Sequence, residues 1–179
     1  MSSLELIAAS RLCNACGLCC NGVIFHTVRL QPNDVPQDLV ALGLRIKRKK
    51  GDNYILQPCP AYQESKCAIY DSRPERCRRF ECQQLQRLGA GEITEAEALG
   101  RIQDVQQRVA HITALLDEAG TTDPKRPLSK RCEKILAEPS FDPPMMAIHQ
   151  QITREFQELD AILDAEFRVP PDPGSGNAS

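Results

Sequence analysis

Tryptophan is absent, and aromatic residues make up only 4% of the 179 residues. A core organised around large rings is excluded, as is a base-stacking platform of the kind that grips single-stranded nucleic acid. No apolar run approaches the roughly 20 residues that a membrane-crossing helix requires. Met1 to Ser10 lack the basic start and apolar stretch of a secretory signal, so the expected location is cytoplasmic, with no membrane partner. Phosphate-binding glycine loops, dinucleotide fingerprints and nucleophile elbows are missing too, and no catalytic residue is assigned. With 41% hydrophobic and 26% charged residues, the chain still has the composition of a folded globular protein.

What the sequence has in excess is cysteine, nine in all. Disulfides are rare where thiol buffers keep cysteine reduced, and an odd count does not close a disulfide framework. Eight of the nine fall in the first half: Cys13, Cys16, Cys19, Cys20, Cys59, Cys67, Cys77 and Cys82. Cys132 stands alone on a helical pattern and reads as a packed residue. Charge divides at nearly the same place, with 13 Lys/Arg against 8 Asp/Glu over residues 1–90 and 9 against 16 over 91–179. The expected organisation is a cysteine-cluster metal-binding domain over 1–90, a helical extension packed on it over 91–167, and a flexible tail over 168–179. In class this is α+β: a small, cysteine-rich, metal-stabilised module with a short β-hairpin, followed by a C-terminal helical segment.

Local patterns fill in that outline. Val23 to Leu30 is β-branched and aromatic enough for a strand, and Asp34 to Leu42 suits a short helix after Pro32. Leu44 to Lys50 and Asn53 to Gln57 flank Gly51-Asp52 as a hairpin. Ser72 to Arg87 reads as one helix, with Ser72 and Glu75 as a capping box. A second box, Thr94 with Glu97, opens a helix carrying Leu99, Ile102, Val105, Val109, Ile112 and Leu116 at helical spacing, ended by Gly120. Arg131 to Glu138 is a further short helix. Asp142 caps a last one, striped by Ile148, Ile152, Phe156, Leu159 and Leu163.

The cysteine spacing carries the chemistry. Two residues between Cys13 and Cys16, and again between Cys16 and Cys19, let a tight turn direct thiols at one ion, and Gly17 and Gly22 permit the backbone such a turn uses. Adjacent Cys19 and Cys20 do not easily point the same way, so they are expected in different sites, or with one of them as a supporting thiol. On an unbroken helix, Cys77 and Cys82 stand five positions, or about 140°, apart. They also divide between two sites, unless the helix distorts near Phe80. Eight thiolates suit two four-coordinate centres, bringing about −4 of charge to a half with net +5. Arg73, Arg76, Arg78 and Arg79 cluster around Cys77 and are expected to serve the thiolates, Arg76 and Arg78 at the least. Charge does not choose between zinc and an iron–sulfur cluster.

The runs Cys13-x2-Cys16-x2-Cys19-Cys20, Cys59-Pro60, Cys67-Ala68-Ile69-Tyr70 and Arg73-Pro74-Glu75-Arg76-Cys77-Arg78-Arg79-Phe80-Glu81-Cys82 resemble those of the CxxCxxCC cysteine-cluster family, described as zinc- or iron-chelating. The resemblance covers roughly residues 10 to 85 and includes all eight family cysteines. It implies metal binding and no particular substrate. Some relatives are linked to flagellin lysine methylation or were labelled iron–sulfur oxidoreductases.

Three functions follow in order. The first is a structural metal centre, zinc preferred, in a protein that acts through a protein partner. The second is an iron–sulfur redox protein, since Cys13-x2-Cys16-x2-Cys19 matches the first three ligands of a bacterial ferredoxin run. The third is an accessory to a protein-methylating enzyme, by family association. Arg45, Lys47, Arg48, Lys49 and Lys50 raise a nucleic-acid-binding zinc module as a further alternative. Scarce aromatics and a pI near 6.0 favour the reading of that run as a solvated hairpin edge. His26, His111 and His149 are scattered and are not expected as ligands.

Overall fold

The computed structural model describes residues 3–121 and 123–170, so most of the expected tail, residues 171–179, lies outside the described residues. It is a mixed α+β fold, as expected. The first element, α1 (Ser3–Cys16), is a helix where only a tight cysteine turn was expected. It ends at Gly17, whose φ of 65° reverses the chain, and the Gly17 carbonyl then accepts the N–H groups of Cys20 and Asn21.

The expected strand over Val23 to Leu30 shrinks to β1 (Thr27–Arg29). Val23 and Ile24 are drawn instead into the helical core, and the Ile24 N–H bonds the Leu18 carbonyl. After α2 (Pro36–Ala41) comes the expected hairpin of β2 (Ile46–Lys49) and β3 (Asp52–Leu56). Its turn is Lys50-Gly51, both with positive φ, while Asp52 pairs with Lys49 inside the ladder. β3 lies central between β1 and β2, both antiparallel to it. A second, two-residue ladder joins β4 (Tyr62–Gln63) to β5 (Lys66–Cys67).

The single helix expected over Ser72 to Arg87 is corrected by the structure. A 3-10 turn (Tyr70–Ser72) precedes α3 (Glu75–Arg79), and α4 (Gln83–Gly89) follows a break. Phe80 is extended, with ψ of 125°, and its ring meets Phe25 edge-on at 4.8 Å. This contact, invisible in a local reading, helps hold the break open. The Ser72–Glu75 box does not form either: Asp34 Oδ1 accepts the Glu75 N–H from across the fold at 2.8 Å.

The helical half follows its pattern closely. The Thr94–Glu97 capping box starts α5 (Glu95–Glu118), and α6 (Leu128–Leu136) and α7 (Pro143–Glu166) follow. None of the described helices is long and apolar enough to cross a membrane. Ile102, Val105, Ile112 and Leu116 of α5 pack with Ile152, Leu159 and Leu163 of α7. Leu12, Leu18, Val23 and Ile24 from the cysteine-rich half enter the same core, which therefore crosses the compositional boundary near residue 90. A smaller core gathers Val28, Leu30, Leu39, Leu44, Ile55 and Ala61 around the three-stranded sheet.

Phe167, fully buried just past α7, closes the large core, and its carbonyl accepts the Gln83 N–H beside Cys82. Truncation by Phe167→Ala is expected to cost about 3–5 kcal/mol. Denaturant unfolding measures it, and a loss under about 1 kcal/mol would show that this ring is not a keystone.

Candidate metal centre

Each cysteine is placed by a different local device. Cys13 and Cys16 occupy one face of the last turn of α1, three residues apart. Gln106 of α5 secures that turn, its side-chain amide donating to the carbonyls of Ala15 at 2.8 Å and Cys16 at 2.9 Å. Cys19 and Cys20 follow in the turn after Gly17. Cys59 is tied to this turn by its N–H, which donates to the Cys20 carbonyl at 2.7 Å. Cys67 ends β5, Cys77 sits in the middle of α3, and Cys82 is the N-cap residue of α4.

All nine cysteines are free thiols, none fully exposed. Burial is the first cause of the raised pKa of Cys13, Cys16, Cys19, Cys20, Cys59, Cys77 and Cys82. Cys16 and Cys77 are each pushed up to about 12. The mutual repulsion that adds to burial sorts the thiols. Cys16 feels Cys82 and Cys13, and Cys19 feels Cys16 and Cys82 before Cys20 and Cys13. Cys20 feels Cys67, then Cys59, then Cys77, and Cys77 feels Cys59 and Cys67. One neighbourhood thus holds Cys13, Cys16, Cys19 and Cys82, and the other holds Cys20, Cys59, Cys67 and Cys77. The unbroken helix from which Cys77 and Cys82 were expected to diverge is interrupted at Phe80, so each is placed by a separate short helix. Cys13 stands at the boundary, acting on Cys20 and feeling Cys67.

Among the described residues, no three His, Cys, Asp or Glu side chains form a ready cage for an ion. The neighbourhoods are loose gatherings of sulfur, and their donor chemistry fits a thiophilic ion. Neither contains an imidazole: His26 turns away and shares a hydrogen bond with Ser129 Oγ at 2.7 Å. Backbone N–H groups favour thiolate, from Leu18 towards Cys16, from Ala61 and Tyr62 towards Cys59, and from Leu85 and Gln84 towards Cys82. Such donors are what a metal-bound sulfur needs in a site drier than water. Cys132 is elsewhere, packed in the large core.

The arginines differ from expectation. Arg76 and Arg78, expected at the thiols, are exposed, because the short α3 presents only its Cys77 side to the protein. Arg79 is exposed as well and pairs with Glu75 at 2.9 Å. The guanidinium that reaches sulfur is that of Arg73, with Nη1 3.9 Å from Cys13 Sγ. Arg45, counted from sequence within the basic run, turns inward, donates to the Pro58 carbonyl at 2.7 Å and acts on Cys59. Gln106 carried no local signal, and Arg73, singled out for its place near Cys77, reaches Cys13 instead because of how the fold brings the segments together.

A family model described as "Putative zinc- or iron-chelating domain" matches residues 12–108. The chain belongs to the CxxCxxCC family. No curated protein and no solved structure matches it. The matched range includes every clustered cysteine and runs into α5 as far as Arg108, past Gln106 and beyond the cysteine motifs. The CxxCxxCC unit in this chain therefore takes in the helix that secures Cys13 and Cys16.

Gly17 is the tightest point of the turn. A Cβ there would lie 2.0 Å from the Tyr62 hydroxyl, and φ is already left-handed. Gly17→Ala should cost about 1–3 kcal/mol. Adding Tyr62→Ala should recover only the part due to the clash, leaving the backbone cost, as read in a double-mutant unfolding cycle. Full recovery would remove the backbone argument.

Proposed function

We propose that this protein holds two thiolate-ligated metal centres that are structural, one on Cys13, Cys16, Cys19 and Cys82 and one on Cys20, Cys59, Cys67 and Cys77. The observation carrying this reading is the grouping of eight thiols, seven half-buried and one buried, into two neighbourhoods of four. Four protein ligands per ion complete a tetrahedral shell and leave no position for substrate, which favours a structural role and zinc. The ion would supply the attraction that four crowded thiolates lack. The chain supplies burial, backbone N–H donors and the nearby guanidinium groups of Arg73 and Arg45. Beyond the metal, the protein acts through a protein partner in the cytoplasm. The exposed Lys47, Arg48 and Lys49 lie on edge strand β2, with Lys50 in its turn and one aromatic, Tyr54, across the ladder, which supports a protected edge over a nucleic-acid surface.

Elemental analysis of anaerobically purified protein, with a visible spectrum, is expected to give two zinc per chain and no colour, and Cys132→Ser should leave that count unchanged. Loss of a whole equivalent in the Cys132 variant would overturn the ligand assignment. Iron with labile sulfide would move the reading to a redox protein.

Metal removal should act unevenly. The small core around the sheet has few large side chains, and structural zinc contributes on the order of 10 kcal/mol to such modules. Chelation is expected to strip hydrogen-exchange protection from β1, β2 and β3 while much of α5 and α7 stays protected. Full retention in the sheet would contradict a structural role.

A further inference from the structure

The open edge of the three-stranded sheet carries a charge that its surroundings leave unbalanced. β2 is an outer strand, paired on one side only, with β3. The Leu56 N–H donates to the Arg45 carbonyl at 2.9 Å, and this bond fixes the phase of the ladder. Backbone groups of an antiparallel strand turn alternately toward one neighbour and the other. Arg45, Lys47 and Lys49 therefore turn theirs to β3, while Ile46 and Arg48 turn theirs to the open edge. Ile46 packs against the small core, so the side chains of Lys47 and Lys49 stand on the opposite, outer face. Lys47, Arg48, Lys49 and Lys50 are all exposed. Asp52, the ladder partner of Lys49, is held by Arg29 at 2.8 Å. Among the described residues no carboxylate pairs with any of these four cations, whereas Arg11, Arg79 and Arg108 each hold one.

We propose that the open edge of β2 is a docking site for an acidic, extended segment of a protein partner, added to the sheet as a fourth strand. This rests on the reading above that the protein acts through a protein partner, and it does not depend on the metal. The occupant follows from the charge. A second copy of β2 brought to this edge would set like charges side by side, which is how lysine guards an open strand. An acidic strand meets no such repulsion, so the residues that refuse one partner select the other. Lys47 and Lys49 lie two residues, or about 7 Å, apart along the strand, which matches carboxylates at alternate positions of an added strand. The residue between those carboxylates turns to the inner face, where an apolar side chain falls beside half-buried Ile46. The outward carbonyls of Ile46 and Arg48 are met by the N–H groups of a peptide strand and by nothing on a phosphate backbone, which favours protein over nucleic acid.

The test is fluorescence anisotropy of a labelled, end-blocked Ser-Glu-Val-Glu-Val-Glu-Ser peptide titrated with the purified full-length protein at low salt, together with amide hydrogen exchange of the complex. The peptide should saturate below about 1 mM protein, and its counterpart with Lys in place of Glu should not bind. The amides of Ile46 and Arg48 should gain protection in the complex. Lys47→Glu combined with Lys49→Glu should weaken binding by about tenfold or more. The milder pair Lys47→Gln and Lys49→Gln carries the comparison if the reversal does not recover parental circular dichroism. Arg48→Pro removes an outward donor where proline leaves the bonds to β3 intact, so it should lose more than Arg48→Gln, which removes the charge alone. Arg79→Gln, on α3, should match the parent. No binding of the acidic peptide, binding indifferent to these variants, or binding without protection at Ile46 and Arg48 overturns the proposal. So does tighter binding of a short labelled oligothymidylate that the same variants weaken, which would make the edge a nucleic-acid surface. Metal content of the same samples reads the other proposal separately: fewer than two ions per chain overturns the two centres and leaves the docking result as it stands.

Discussion

Desolvation of sulfur is the constraint around which the first half of this protein is arranged. Thiols packed away from water resist ionisation, and crowding them raises the cost of a second negative charge further. Left alone, such a cluster behaves as a patch of small hydrophobes. Opposing that tendency takes backbone N–H groups, guanidinium charge or a metal ion. The structure provides the first two at several sulfurs, and the family to which the chain belongs is one of metal chelation.

The two thiol neighbourhoods rest on supports of different stiffness. Cys16 and Cys19 pack against the large core of α5, α6 and α7. That core exists by virtue of long amphipathic helices with a formed capping box, so it is stable on ordinary hydrophobic grounds. Cys59 and Cys77 pack against the small core of short strands and short helices. There the balance of burial against chain entropy is much closer, as it is in any module of this size. One fold thus couples a large helical core to a sheet with a much smaller one.

Much of this was legible from residue spacing. Adjacent thiols point apart, so a division of Cys19 from Cys20 was an expectation open to the sequence, whereas the divergence of Cys77 from Cys82 was argued from an unbroken helix that the structure interrupts at Phe80. The stripes of α5 and α7, the Thr94–Glu97 box and the hairpin were equally plain. What escaped depended on distant partners. The helix over Ser72 to Arg87 is interrupted because Phe80 finds Phe25, and its first turn is capped by Asp34 rather than Ser72. Arg76 and Arg78 flank Cys77 in sequence but lie on the outer face of a five-residue helix, while Arg73 reaches Cys13 through space. The helix before Cys13 went unread because a cysteine motif suggested a turn.

The order of the thiols along the chain has a topological consequence. Cys20, Cys59, Cys67 and Cys77 all lie between Cys19 and Cys82, so one group is enclosed by the other like inner brackets within outer ones. Bringing the inner thiols together draws in the long segment that separates Cys19 from Cys82. Those two then stand only a few residues beyond Cys20 and Cys77. The entropy of closing a loop grows with the logarithm of its length, so the inner closure shortens the search for the outer one. Assembly in the reverse sequence would close the longest loop first and leave the inner ligands to find one another within it. By loop entropy alone, closing the inner set first would shorten the span left for the outer one.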